Sequence, residues 1–339
     1  MHKHTTTLFS AIAASSALFF AVPTDSLAQG VGPVVPEDVA KSRDNFPEQQ
    51  DAGVQALTEA LTGMHRGNDY TLYINTIEIP DATPALYVEM VTSGEESHPL
   101  RQQLWVPHRR GEQLQIRVCE LPLGMRDMAV GMWAAPELFP RAGLNQYSPL
   151  GDLHVDVNGE NYTATVPVPM PIAHEGAIDY MLRFERTPDG LHWIDSGAAL
   201  NGDEIFAVDA KMNRKPALPA ADRREDGVIV IDLRRGFEGP VAAKKDSIAL
   251  HYSEWSLDGF LLDTSDIQGR AAAFFTIPEI KKYPEAMNTG VVGMRNGGLR
   301  RVYTPAANMG LVNGKLKPLR AKVPLLFEIE CISIKDNTP

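Results

Sequence analysis

The sequence predicts a mainly β chain of two domains, and three observations predict it. Short alternating segments recur from about residue 69 to residue 207, broken by turn signals, which is the pattern of an antiparallel barrel or sandwich. A second set of strands starts near residue 226 and gathers around one short helical run. Between them, residues 209–225 (DAKMNRKPALPAADRRE) are charged, carry Pro and Ala, and show no apolar period, so they read as a linker.

Composition agrees and narrows the function classes. The 339 residues leave room for about two domains, and 44% hydrophobic with 22% charged residues is the balance of a packed globular protein. A net charge of −11 without a basic stripe excludes nucleic acid as a partner. RRVYTP and DRREDG are isolated clusters and read as solvated surface. No GxxxxGK or GxGxxG is present, and no HxxxH or HExxH spacing occurs away from the leader. Neither a cofactor nor a metal is expected.

The N-terminus reads as a secretory signal. His2 and Lys3 supply positive charge, and Leu8 to Val22 form an apolar run of about fifteen residues, short for a bilayer. Ser26-Leu27-Ala28 before Gln29 is a small-x-small cleavage site. Residues 1–28 are therefore expected to be removed, residues 29–50 to form an extended leader, and the mature protein to be periplasmic or secreted, with no membrane span. The alternative is an uncleaved anchor. Export permits disulfides. The two cysteines, Cys119 and Cys331, would have to join different domains, so they read as buried thiols.

The first domain is expected over 51–208. Val54, Leu57 and Leu61 have helical spacing, with Asp51 as N-cap and Gly63 as stop. YTLYINTIEIP, ALYVEMV, RQQLWVPH and EQLQIRVCEL follow as strands. Residues 131–150 look irregular, with one helical turn. Asn158-Gly159 marks a hairpin, and Pro188-Asp189-Gly190 a last one. Asp152, His154 and Asp156 share a strand face, either a metal site or a solvated surface. Trp105, Trp133, Trp193, Tyr87 and Tyr180 either line an interior that holds an aromatic ligand or simply pack the core.

The second domain is expected over 226–335. GVIVIDLRRG opens it, and Ile248, Leu250 and Tyr252 alternate in the next strand. Asp258-Gly259 is a hairpin signal, Phe274, Phe275 and Ile277 an apolar patch, and residues 284–292 a short helix. Asn296-Gly297-Gly298 turns into a strand from Leu299 to Tyr303.

Four blocks of this second domain resemble the FKBP-type peptidyl-prolyl isomerase domain. They are Ala249-Leu250-His251-Tyr252, the turn from Asp258-Gly259 to Asp263-Thr264, Gly293-Met294 through Gly297-Gly298 to Arg300, and the closing strand Leu325 to Cys331. The resemblance implies an antiparallel sheet wrapped on a short helix, an α+β half-barrel. It also implies a pocket for a proline-containing polypeptide. Tyr252, Asp263 and Phe327 match pocket residues of the family; the alternative is that Tyr252 and Phe327 are simply core residues of the half-barrel. Leu262 stands for the phenylalanine beside that aspartate, Met287 for the floor tryptophan, and Met309 for the tyrosine that donates to substrate. Arg320 to Pro324 replace the flap motif, and Phe275 adds apolar wall. His251 reads as structural.

Prolyl isomerisation needs no acid, base or nucleophile. Amide resonance holds the barrier near 20 kcal/mol, and an apolar cradle lowers it by stripping water from the carbonyl as the bond twists. Two methionines keep the cradle apolar but supply no hydroxyl donor and no rigid floor. The expected function is an exported isomerase with weak or lost turnover. The alternative is a non-catalytic binding protein.

Blocks of the first domain resemble the CpcT/CpeT chromophore lyase family, over about residues 55–207. They are Leu86-Tyr87-Val88-Glu89-Met90 before Arg101-Gln102, Gly176-Ala177-Ile178-Asp179-Tyr180, and Pro188-Asp189-Gly190-Leu191 through Asp195 and Gly197. This implies a calycin- or lipocalin-like barrel, with a small apolar or tetrapyrrole-like ligand as possible partner. The family's Gly-Cys pair and second cysteine are replaced by Gly151-Asp152 and Val168-Pro169-Met170, so these residues do not carry thiol-dependent bilin transfer.

Overall fold

Ten antiparallel strands close into a ring in the computed structural model. The structure describes residues 51–335 except 81, 141, 175–176, 216, 258–259, 266–271, 278–284 and 306–322; at 173–174, 275 and 285–286 only the backbone is described. The expected signal and leader, the Asp258-Gly259 turn, Met309 and residues 320–322 lie outside the described residues.

Helix α1 (Ala52–Leu61) starts where predicted. Asp51 Oδ1 accepts from the amides of Gly53 and Val54, at 2.7 and 3.0 Å, satisfying two orphan donors of the first turn. The helix buries Val54, Leu57 and Leu61 against the barrel interior. The chain then forms β1 (Gly63–Arg66), β2 (Tyr70–Ile79), β3 (Ala82–Thr92), β4 (Arg101–Arg110) and β5 (Gln113–Glu120). Next come β6 (Ser148–Asn158), β7 (Asn161–Thr165), β8 (Met170–His174), β9 (Ala177–Thr187), β10 (Gly190–Ala198) and β11 (Glu204–Lys215). The ring runs β10-β11-β1-β2-β3-β4-β5-β6-β7-β9 and closes where β9 pairs with β10; β8 is an extra strand on β9.

Period-two alternation fills the ring. Leu86 and Val88 of β3 point inward with Leu72 and Ile74 of β2, while Tyr87 and Ala85 point outward. Trp105 lies nearly parallel to Phe184 and Trp193, with centroids 5.3 and 5.7 Å apart. Side chains thus occupy the interior, as expected for a small barrel. Trp105, Trp193 and Tyr180 are interior residues; Tyr87 and Trp133 sit in a second cluster on the outer wall.

Residues 209–215, expected as linker, instead complete β11, pairing with β10 and β1. Val208, Ala210 and Met212 are buried, while Asp209 and Lys211 between them are exposed. The alternation is present, but a small Ala at its centre gives it little amplitude.

Between β5 and β6 lie α2 (Leu123–Ala129) and three 3-10 turns at Met132–Ala134, Pro136–Leu138 and Leu144–Gln146. This segment packs on the outer face of β2 and β3, where Trp133 stacks on Tyr73 and Phe139 meets Tyr87, and is itself covered by a second sheet.

That sheet comprises β12 (Asp222–Arg223), β13 (Ile229–Arg234), β14 (Ser247–Ser256), β15 (Leu261–Thr264), β16 (Ala273–Thr276), β17 (Leu299–Thr304) and β18 (Leu325–Lys335). Its order is β12-β13-β17-β18-β14-β15, with β16 also on β14. One face wraps a core that includes Met287 of helix α3 (Glu285–Gly290). Gly290 lets the helix lie close: a Cβ there would stand 2.7 Å from Val302 Cγ2. The other face contributes Ile231 and Leu326 to the cluster on the barrel's outer wall. Among the described residues, no helix is long and apolar enough to cross a membrane.

Candidate functional site

The matched isomerase residues gather on the concave face of the second sheet. Ile248, Leu250 and Tyr252 of β14 face its core. The Tyr252 amide donates to Ser265 Oγ at 2.7 Å, and the Ser265 amide donates to Tyr252 O at 2.8 Å, which fixes the strand at that residue. The Tyr252 hydroxyl donates to Asp263 Oδ2 at 3.2 Å. Phe327 of β18 and Met287 of α3 are both 1% exposed and belong to the same cluster as Tyr252. Tyr252, Asp263, Phe327 and Met287 therefore lie on one side of the sheet: Phe327 and Met287 are packed core, and the half-buried Tyr252 and Asp263 form a phenol–carboxylate pair at its edge.

The other predicted residues fare differently. Leu262 is the extra residue of a bulge, since Glu254 pairs with Asp263 but Trp255 with Leu261; it is 38% exposed. It does not belong to the buried wall. Phe275 lies in β16 opposite Ile248, and its side chain is outside the described set. Met309 is outside the described residues.

Sequence reasoning missed Glu254. It continues the Ile248–Leu250–Tyr252 period, pairs with Phe327 on one side and Asp263 on the other, and is 1% exposed. The period itself was the available signal, since residue 254 must share the face of residue 252. The concave face thus holds two carboxylates in register.

No thiol is poised as a nucleophile. Cys119 and Cys331 are buried and free, and burial pushes them up to about 12 and about 11.

The barrel carries a separate buried polar network. Arg101 Nε donates to Asp195 Oδ2 at 2.7 Å, and the Tyr180 hydroxyl donates to the same oxygen at 2.9 Å. Gln103 Nε2 donates to Tyr180 Oη at 3.4 Å, and Trp105 Nε1 donates to Gln103 Oε1 at 2.9 Å. The Arg101 guanidinium also lies 4.2 Å from the Phe206 ring centroid. A buried ion pair with its remaining positions hydrogen-bonded is tolerable in such an interior. Asp152 of the proposed metal face pairs with Arg117 at 3.0 Å, while His154 and Asp156 are exposed. Among the described residues, no three His, Cys, Asp or Glu side chains are placed to hold a metal ion.

Comparison with known proteins bears on part of this chain. No family model matches it. The macrophage infectivity potentiator of Trypanosoma cruzi is 30% identical over 126 residues, 37% of this chain and 62% of that protein's length. The FK506-binding protein of Neisseria meningitidis is 28% identical over 108 residues, 32% of this chain and 96% of that protein. Among solved structures, FkpA from Escherichia coli aligns with a TM-score of 0.30 at 16% identity, covering 35% of this chain and 53% of that one. A peptidyl-prolyl cis-trans isomerase from Pseudomonas syringae aligns with a TM-score of 0.29 at 22% identity, covering 35% of this chain and 84% of that one. About a third of the chain is homologous to FKBP-type peptidyl-prolyl isomerases.

Proposed function

We propose that this chain is an exported FKBP-type isomerase-like protein that seats a proline-containing polypeptide on its concave sheet and turns it over weakly or not at all. The observation that carries this reading is the Tyr252–Asp263 hydrogen bond at the rim of a wall that includes Phe327 and Met287. Phe327 and Met287, each 1% exposed, would back the half-buried Tyr252 and Asp263, and an apolar surround there would favour the less polar twisted state of the prolyl amide over either planar one. The Tyr252 hydroxyl, already given to Asp263, holds the rim in place. The site is addressed by cis–trans exchange of a Leu-Pro peptide with the full chain at micromolar concentration. Any acceleration above the uncatalysed rate is expected to be small; no acceleration overturns the enzyme reading and leaves the binding one.

A binding-only reading is favoured by Met287 at the floor and by Leu262 being displaced into an exposed bulge. Saturable peptide binding without acceleration would establish it. For the barrel, the chromophore-lyase likeness rests on the sequence blocks alone, and the closed ring is a statement of fold only. A small apolar or tetrapyrrole-like ligand inside it would have to displace the Trp105–Phe184–Trp193 stack. An unchanged tetrapyrrole spectrum on titration with the full chain would remove that ligand reading. Export rests on the order of charged, apolar and small residues in 2–28. Sequencing of the exported protein is expected to find Gln29 first, and Met1 there would contradict it.

A further inference from the structure

We propose that Arg301 is the positioning residue of the proline pocket, tying the barrel to the two strands that carry Tyr252 and Phe327. The inference rests on the reading of that concave surface as a proline site.

Arg301 is 1% exposed, although it lies in a strand and carries a charge. Its Nη1 donates to Met128 O at 2.7 Å and its Nη2 to Asp127 O at 2.5 Å. These are carbonyls of the last turn of α2, which no intrahelical amide can satisfy, so a cation there is favourable twice over. Nη2 also donates to Glu328 Oε2 at 2.8 Å, and Nε reaches the same oxygen at 3.2 Å. The guanidinium carbon stands 5.3 Å from the Trp255 ring centroid. One side chain thus holds α2, β18 and β14 together.

The register turns this into a statement about the pocket. Arg301 pairs with Glu328, and its neighbour Val302 pairs with Phe327. Trp255 pairs with Leu326, and Glu254 with Phe327. Leu326 and Glu328 face the barrel side, and Phe327 between them faces the concave core. Arg301 therefore holds β18 at Glu328, next to Phe327, and touches β14 at Trp255, whose partner Leu326 lies on the other side of that phenylalanine. α2 is in turn fastened to the barrel, because Gln102 Nε2 donates to Arg126 O at 2.9 Å. A lysine at 301 keeps the charge but cannot present the planar fork that reaches two carbonyls and a carboxylate at once.

The test uses the full chain with Arg301→Lys, Glu328→Gln, and Leu182→Ala as a destabilised control in the barrel interior. All are compared at a temperature where each is folded. The readouts are the ring resonances of Tyr252 and Phe327, and the affinity and turnover of a Leu-Pro peptide. Arg301→Lys is expected to move both ring resonances and weaken peptide affinity by about tenfold or more, as small misplacements of a site do. Glu328→Gln should act in the same direction and less strongly. Leu182→Ala should move neither. If Arg301→Lys melts earlier yet leaves the resonances at their wild-type positions, the inference is wrong. If the resonances move but the wild type neither binds nor turns over peptide, the clamp stands and the proline-site reading falls.

Discussion

Two buried groups titrate in opposite directions over one pH interval, and removing either should expose the other. Glu89 of β3 is 1% exposed and points away from the barrel interior. Its carboxylate accepts from Tyr87 Oη at 2.6 Å, the Gly131 amide at 3.0 Å and Trp133 Nε1 at 2.8 Å. Burial outweighs these donors and raises its pKa from 4.5 to about 6. His65 of β1 is fully buried beside Leu61 O, and burial lowers its pKa from 6.5 to about 4. Native Glu89 holds its proton more tightly than unfolded Glu89, so its contribution is complete below pH 4.5 and is lost as pH rises through 6. The shift corresponds to about 2 kcal/mol. Native His65 resists protonation, so its contribution is complete above pH 6.5 and is lost as pH falls through 4. Here the shift corresponds to about 3 kcal/mol.

Between pH 4.5 and 6 the two slopes oppose, so the wild-type stability curve is flatter there than either group alone would make it. Asp51, held at about 2 first by the hydrogen bond from Arg109, contributes above pH 3.8 and loses this as pH falls through about 2, below the window. The assay is chemical denaturation of the full chain at pH 4.5, 5.5, 6.5 and 7.5 at one ionic strength. Glu89→Gln costs about 1–3 kcal/mol at every pH, because an amide replaces an acceptor that faces donors. Stability should then fall more steeply on acidification than in the wild type. His65→Gln should reverse the trend, with stability rising as pH drops through 6. Parallel curves for wild type and Glu89→Gln would refute the opposed-linkage reasoning.

Two further outcomes follow from single contacts. Among the described residues Trp193 Nε1 is buried without a hydrogen-bond partner, whereas Trp105 Nε1 donates to Gln103; Trp105→Phe should therefore cost about 1 kcal/mol more than Trp193→Phe in the same denaturation assay, and equal costs would contradict this. Gly131 has φ +78°, and a Cβ there would stand 2.5 Å from Leu233 Cδ2. Gly131→Ala should lose at least about 1 kcal/mol to backbone strain alone. Pairing it with Leu233→Ala should recover part of the remaining loss, and strict additivity in that double-mutant cycle would count against the close contact.

What could be read from the sequence was whatever local chemistry settles. Asp51 with Val54, Leu57 and Leu61 predicts α1 because a cap and a 3.6-residue stripe need only neighbours in the chain. Asn158-Gly159 predicts the β6–β7 turn because Gly159, at φ +62°, supplies a conformation that other residues avoid. Tyr252, Asp263 and Phe327 were reached through motif order, and Tyr252 with Asp263 are indeed hydrogen-bonded. Charged residues on alternating strands were the blind spot. Period two says which residues share a face but not whether water or another element covers it. Glu89, Arg101 and Arg301 look like outward polar positions, yet each is at most 6% exposed. Their answers lie far along the chain: Arg101 meets Asp195 94 positions away, and Arg301 meets Met128 O 173 positions away. An isolated buried charge costs several kcal/mol, so each of these residues is stable only once its distant partner is in place. The joint between barrel and second sheet, where Glu89 and Arg301 both lie, therefore forms late in any account built from local signals. With Arg301 positioning β18 as proposed, this joint, the least legible region of the sequence, is also the one that sets how Phe327 is held.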